Sequence, residues 1–307
     1  MNAISPAAAF IVVTALLTAG ATAQPAYDFS LVTSLAEGAL IGQNVADPIR
    51  GFELLLMKDG TIVYDRAFGL WQIGQVGNAD SATKTISGAV IMALVDSSPR
   101  PFSLATRLSD YIPEFTGAKR TITIAQAFSH MGGFGNSSAV GDSTITLYQA
   151  ALEIAAAPLR YFPGTNFSYG GVSMHAAGAV AEIAGQAPWN TLYQQRIAAP
   201  LNLTRTRFVL TSPANPRIAG GCESNAAEFA TFMEMLRRGG MHGATRVLSE
   251  SAVNQMFTRQ PPVGVPVANS PLNDSSDYGV GVWLDQRDAN GRLVGACLLY
   301  TSPSPRD

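Results

Sequence analysis

A serine and a lysine three positions apart hold the clearest chemical signal in the chain. Ser81-Ala-Thr-Lys84 opens an apolar stretch that runs to Val95, and on a helix positions i and i+3 share a face one turn apart. At a helix start the serine also meets unpaired backbone N–H groups and the positive end of the helix dipole. Lysine becomes a base only when its pKa falls, and burial beside such a positive end pushes it down. Arginine cannot take this role. Only three lysines occur in the chain, Lys58, Lys84 and Lys119, so one of three stands in this arrangement.

The elements that must position this pair follow from periodicity. Phe29 to Ile41 has helical apolar spacing, and Gly51 to Gly69 reads as a β-hairpin turning at Lys58-Asp59-Gly60. Asp80 is expected to cap the helix that starts at Ser81. Leu104 to about Leu201 is mostly helical, cut by Gly- and Pro-containing loops; further helices are expected at Ala226–Arg238 and Ser249–Phe257, and a strand at Tyr278–Asp285. Strands at both ends with helices between predict an α/β (α+β) unit interrupted by a helical insertion. The expected division is 24–94 with 212–296 for the α/β region and 95–211 for the helical region.

Composition narrows the function classes. The 307 residues are 47% hydrophobic and 14% charged, against about 25% charged in a typical domain, which fits a compact globular protein. Twenty Lys plus Arg against 22 Asp plus Glu give a net charge of −2 without a basic cluster. No nucleic-acid footprint is present, and small molecules are the expected partners. Residues 1–23 lack charged side chains, carry an apolar run and close on Ala21-Thr22-Ala23, the pattern of a cleaved export signal. That run is shorter than the roughly 20 residues of a membrane span, so no stable membrane insertion is expected after cleavage. The destination is periplasmic or secreted. Residues 297–307, Cys-Leu-Leu-Tyr-Thr-Ser-Pro-Ser-Pro-Arg-Asp, read like a translated sequencing adapter and are expected to be a non-native tail. Cys222 is then a lone buried thiol, and no disulfide is expected.

A second constellation lies about 85 residues beyond Ser81. Phe162-Pro-Gly-Thr-Asn-Phe-Ser-Tyr169-Gly-Gly-Val-Ser-Met-His175 places a tyrosine where a loop enters a helix. With Ser81-x-x-Lys84, this segment resembles the serine β-lactamase and penicillin-binding-protein superfamily, in its class C-like branch with the family VIII carboxylesterases. Leu108–Phe115, Ile122–Gly135, Ile197–Leu203 and Ala226–Ser249 are similar in the same order, with Ser129-His130-Met131-Gly132-Gly133-Phe134 in the place of a His-Thr-Ser-Gly loop. The resemblance implies a β-lactamase/transpeptidase-like fold, an antiparallel sheet flanked by helices plus an all-helical region. It implies Ser81 as nucleophile, Lys84 as its activating base and Tyr169 as a proton relay. Because a tyrosine's reference pKa is near 10, a neighbouring lysine ammonium is needed for it to act as a base. Gly171 and His175 are taken as substrate-binding, with a satisfied helix histidine the alternative for His175. No cofactor and no metal are implied.

Two departures qualify the resemblance. Tyr169-Gly170-Gly171 stands where the lactamase pattern has Tyr-x-Asn, so the amide that grips a β-lactam side chain is missing. The expectation moves toward an esterase-like hydrolase acting on small esters, amides or cell-wall-derived substrates. The Lys- or His-x-Gly edge expected after Tyr278 to Ala296 is also not present, and with it goes one donor of the oxyanion hole, a loss of about 10²- to 10³-fold in rate. The chain is therefore expected to be truncated and inactive as it stands. A non-catalytic or slowly deacylating penicillin-binding-type protein is the alternative reading. Other motifs compete poorly: Gly171-Val-Ser173-Met-His175 misses the Gly-x-Ser-x-Gly elbow, and Gly279-x-Gly281 reads as a strand packing near the Ser81 helix.

Overall fold

The computed structural model describes residues 27–43, 45–272, 275–287 and 293–297. The expected leader over 1–23 and the tail beyond Cys297 lie outside the described residues. The chain divides into two units, one up to Ile49 and one from Arg50 on. In the first, helix α1 (Ser30–Ala39) falls within the predicted 29–41 stretch, and the Ile49 N–H closes back on the Ala39 carbonyl.

The second unit opens with the predicted hairpin. Strands β1 (Gly51–Lys58) and β2 (Thr61–Gly69) pair antiparallel from Gly51↔Gly69 to Lys58↔Thr61. Asp59 and Gly60 both have positive φ, the backbone that a two-residue hairpin turn with the strands' own twist requires. The short strand β3 (Gly77–Asn78) then leads into helix α2 (Thr83–Asp96). Every residue of α2 from Thr83 to Leu94 is buried. A helix apolar on all sides must be surrounded, and α2 is enclosed by α5 (Val172–Gly185), α6 (Trp189–Tyr193) and α9 (Glu250–Met256). Ile86, Ile91, Met92 and Leu94 are wholly inaccessible, each contributing roughly 1.5–3 kcal/mol of burial.

Between α2 and α5 lie α3 (Ile124–Phe128), α4 (Leu147–Ala156) and the two-residue strand β4 (Phe167–Ser168). Both α3 and α4 begin with the same local device, Thr-x-x-Gln. Thr123 and Thr146 accept the N–H of Gln126 and Gln149, whose side chains reach back to the threonine N–H. From α6 the chain passes through a π turn at Gln194–Ala198 into α7 (Ala199–Leu201). Strands β5 (Arg207–Phe208) and β6 (Cys222–Ser224) join β3 in an antiparallel sheet ordered β3-β6-β5. Helix α8 (Ala226–Arg237) packs on β1, and β7 (Met241–His242) with β8 (Thr245–Arg246) forms a small hairpin before α9. Strand β9 (Val267–Asn269) runs parallel to β4, while β10 (Trp283–Arg287) and β11 (Leu293–Cys297) pair antiparallel. The architecture is α+β, with strand pairs, all antiparallel except β4–β9, flanked by helices.

Two local expectations are corrected. Asp80 is not a cap: it opens a 3₁₀ turn (Asp80–Ala82) with φ +42°, and α2 starts without a side-chain cap bond. The β3 ladder holds the chain extended only through Asn78, and with the Ala79 N–H bonded to the Cys222 carbonyl the backbone turns at Ala79 and Asp80. Tyr278–Val282 is not strand either. Gly281 has φ +76° and the Gly279 N–H returns to the Val282 carbonyl, forming a tight turn before β10. The turn is pressed onto α2: a Cβ on Gly281 would collide with the Lys84 carbonyl, and one on Gly88 with the Val280 carbonyl. Gly279-x-Gly281 thus packs near the Ser81 helix, as turn rather than strand.

Candidate active site

Ser81 sits in the 3₁₀ turn and Lys84 in the first turn of α2, and the offset brings their side chains together. Lys84 Nζ lies 3.0 Å from Ser81 Oγ and donates to the Ala219 carbonyl at 2.9 Å. Lys84 is 5% exposed. Burial strips the ammonium of water and lowers its pKa to about 7; Arg217 adds repulsion and Asp80 partly opposes it. Near neutral pH this amine is therefore a base within hydrogen-bond reach of a hydroxyl.

Tyr169 covers the same amine. Its ring centroid is 4.6 Å from Lys84 Nζ, and the ring stacks on Trp283 at 5.6 Å and 22°. His130 lies 4.5 Å away, and Tyr278 and Phe167 complete an aromatic cluster. The backbone of the tyrosine is pinned from the β9 side, its N–H to the Asn269 carbonyl and its carbonyl to the Asn269 side chain. Ser81 and Lys84 open into a cavity of about 510 Å³ whose wall also includes Asp80, Asn136, Ser137, Ser138, Gly170, Gly171 and Arg217. That volume suits a small-molecule ligand.

The chain from residue 39 to residue 297 matches the family described as Beta-lactamase. It belongs to that family. It is also similar to a curated protein of Escherichia coli K12 named "Putative D-alanyl-D-alanine carboxypeptidase", 26% identical over 220 residues, covering 59% of this chain and 46% of that protein. The chain thus spans about half the length of the curated relatives it matches. Among solved structures, a "putative beta-lactamase from Bacteroides dorei" is 27% identical with a TM-score of 0.75, covering 87% of this chain and 82% of the other. A family VIII carboxylesterase superposes with a TM-score of 0.58 at 20% identity, covering 73% of each chain. Family and fold together place the chain in the serine β-lactamase and penicillin-binding-protein superfamily, with the β-lactamase/transpeptidase-like fold that the resemblance implies.

Within this family member, the structure brings Ser81, Lys84, Tyr169 and Gly171 together and leaves His175 apart. His175 is fully buried on α5, its Nε2 2.7 Å from Asn215 Oδ1, and it does not reach the cavity wall. The reason is geometric. Gly171 precedes α5 and His175 lies a full turn inside it, on the face turned toward the Asn215 loop. The Asn215 amide in turn donates to the carbonyls of Ala139 and Asp142, so it ties α5 to the 138–142 turn beside the cavity. The wall residues Asn136, Ser137, Ser138, Arg217 and Ala219 were not singled out from sequence. Their types are ordinary loop residues, and only tertiary contact sets them beside Ser81. Cys222 is buried, with its thiol pushed up to about 12 by burial, as a structural cysteine should be. Among the described residues no group of His, Cys, Asp and Glu side chains is placed to hold a metal ion.

Proposed function

We propose that this chain is an exported serine hydrolase that cleaves small esters or amides through an acyl-enzyme on Ser81. One observation carries the reading: an amine with a pKa brought to about 7 stands 3.0 Å from the Ser81 hydroxyl at the floor of a cavity. Neutral Lys84 takes the Ser81 proton as Oγ attacks the substrate carbonyl. The tetrahedral intermediate expels its alcohol or amine, which takes a proton from the Tyr169 phenol, and Tyr169 is refilled by the Lys84 ammonium that its ring covers. A water molecule attacks the acyl-enzyme with the same two residues accepting its proton, and the proton returns to Ser81. The wall at Gly170–Gly171 offers no side-chain amide, which favours an ester or a small amide over a β-lactam. The curated relative named "Putative D-alanyl-D-alanine carboxypeptidase" supports a cell-wall-derived amide as the second substrate class.

Intact-mass spectrometry of the chain incubated with p-nitrophenyl butyrate tests this. A Ser81-dependent butyryl adduct is expected, forming and turning over about 10²- to 10³-fold more slowly than with a full pair of oxyanion-hole donors. Adduct formation without turnover moves the chain to the slowly deacylating penicillin-binding type, and an adduct that persists in Ser81→Ala rejects the assignment. Export is checked by whether the mature form begins at Gln24.

A further inference from the structure

Three consecutive residues of the Tyr169 segment are held by one residue. The His130 carbonyl accepts the Ser168 N–H at 2.9 Å, its ring faces the Tyr169 ring at 4.5 Å, and its Nδ1 accepts the Gly170 N–H at 3.3 Å. The ring is flanked by Phe167 and Tyr278, and the residue is 3% exposed. Accepting at Nδ1 fixes the tautomer, with the proton on Nε2.

This placement is costly. Nε2 is buried with no hydrogen-bond partner among the described residues, a penalty of about 1–3 kcal/mol for an unpaired polar group. The backbone of His130 is left-handed, φ +63°, which costs a residue with a Cβ on the order of 1 kcal/mol or more. Packing alone explains neither: phenylalanine would fill the aromatic box and glycine would make the turn. What both lack is an acceptor for the Gly170 N–H. We infer that His130 is a positioning residue for Tyr169, setting the phenol over Lys84 by gripping the residues on either side of it. The role rests on the acyl-transfer reading of Ser81, Lys84 and Tyr169. Burial and the nearby Lys84 hold the imidazole pKa well below its ordinary value, so the ring stays a neutral acceptor.

Two substitutions in the full chain separate positioning from filling. His130→Asn keeps an acceptor near Nδ1 and tolerates positive φ; His130→Phe keeps the ring and loses the acceptor. The readouts are the rate of Ser81 butyrylation per folded chain, the substrate concentration for half-maximal rate, and the imidazole ¹⁵N shifts of the wild type. His130→Phe is expected to slow acylation by roughly 10²-fold, the cost of misplacing a reacting group by about 1 Å, with half-saturation little changed, and His130→Asn to restore most of the rate. Equal rates in the wild type and His130→Phe, or failure of His130→Asn to rescue, overturn the role and leave the Ser81 assignment standing. Loss of Ser81-dependent adduct in the wild type itself overturns the underlying reading and the role with it. If His130→Phe does not fold, the shifts decide: a proton on Nδ1 at neutral pH overturns the inference, and a proton on Nε2 supports it.

Discussion

In the proposed acyl-transfer reading, Lys84 sets the pH window in which Ser81 is activated. Its amine accepts the serine proton only when neutral, so the acylation rate is expected to rise with pH through about 7. Lys84→Ala is expected to remove that limb and lower the rate by roughly 10²- to 10⁴-fold, the span of general-base effects; stopped-flow release of p-nitrophenol across pH 5–9 (about four units) measures both. The same shift has a stability consequence of definite sign. Between about 7 and the unperturbed 10.5 the unfolded chain binds the Lys84 proton and the folded chain does not, so folding grows more favourable as pH rises. Below 7 the folded state buries an ammonium at full cost, on the order of 5 kcal/mol. Lys84→Met is therefore expected to gain stability over the wild type at pH 6 and to lose that advantage by pH 10, read from urea midpoints at each pH.

At the scale of elements, the site depends on how closely the Tyr278–Val282 turn approaches α2. Gly281 donates to the Phe128 carbonyl and its own carbonyl accepts from Thr85, so the turn joins α2 to the end of α3. Gly281→Ala places a Cβ against the Lys84 carbonyl at a backbone φ that a side chain resists. It is expected to destabilise by roughly 2–4 kcal/mol, combining positive-φ strain with overpacking. The collision falls on the first turn of α2, so acylation per folded chain is expected to fall as well. Thermal melts together with active-site titration separate the two effects. The hairpin and the apolar α2 were legible because each rests on contacts within a few residues, whereas the Thr-x-x-Gln starts of α3 and α4 emerged only in the structure. The Asp80 turn and the Tyr278–Val282 turn were not legible, because the β3–β6 ladder and the surface of α2 impose them from more than 100 positions away.

Across the whole molecule, the His175–Asn215 pair ties the cavity wall to the helical core. Asn215 is wholly buried and bridges the carbonyls of Ala139 and Asp142, and His175 completes its hydrogen bonding. Burial lowers the His175 pKa to about 4; the Asn215 hydrogen bond partly opposes it, and the Arg217 charge adds a smaller lowering. From pH 6.5 down to 4 the unfolded chain takes up a proton that the folded chain refuses, so this residue makes stability fall on acidification by on the order of 3 kcal/mol. His175→Phe is expected to flatten that part of the acid-unfolding curve. Asn215→Ala is expected to destabilise at every pH and to raise KM more than it lowers kcat, because it loosens the wall and leaves the Ser81–Lys84 pair intact.

What the residues determined unaided was the pairing of Ser81 with Lys84, since a one-turn spacing is a local property of a helix start. Motif order carried the family and the fold class, and it pointed to Tyr169, whose ring the structure places beside Lys84. Only the tertiary structure decided that His175 faces inward, that Arg217 borders the cavity, and that His130 grips the tyrosine segment. Each of these depends on which side of an element meets a neighbour distant in sequence. Periodicity tells buried positions from exposed ones, but the identity of the neighbour is set by packing the whole chain at once.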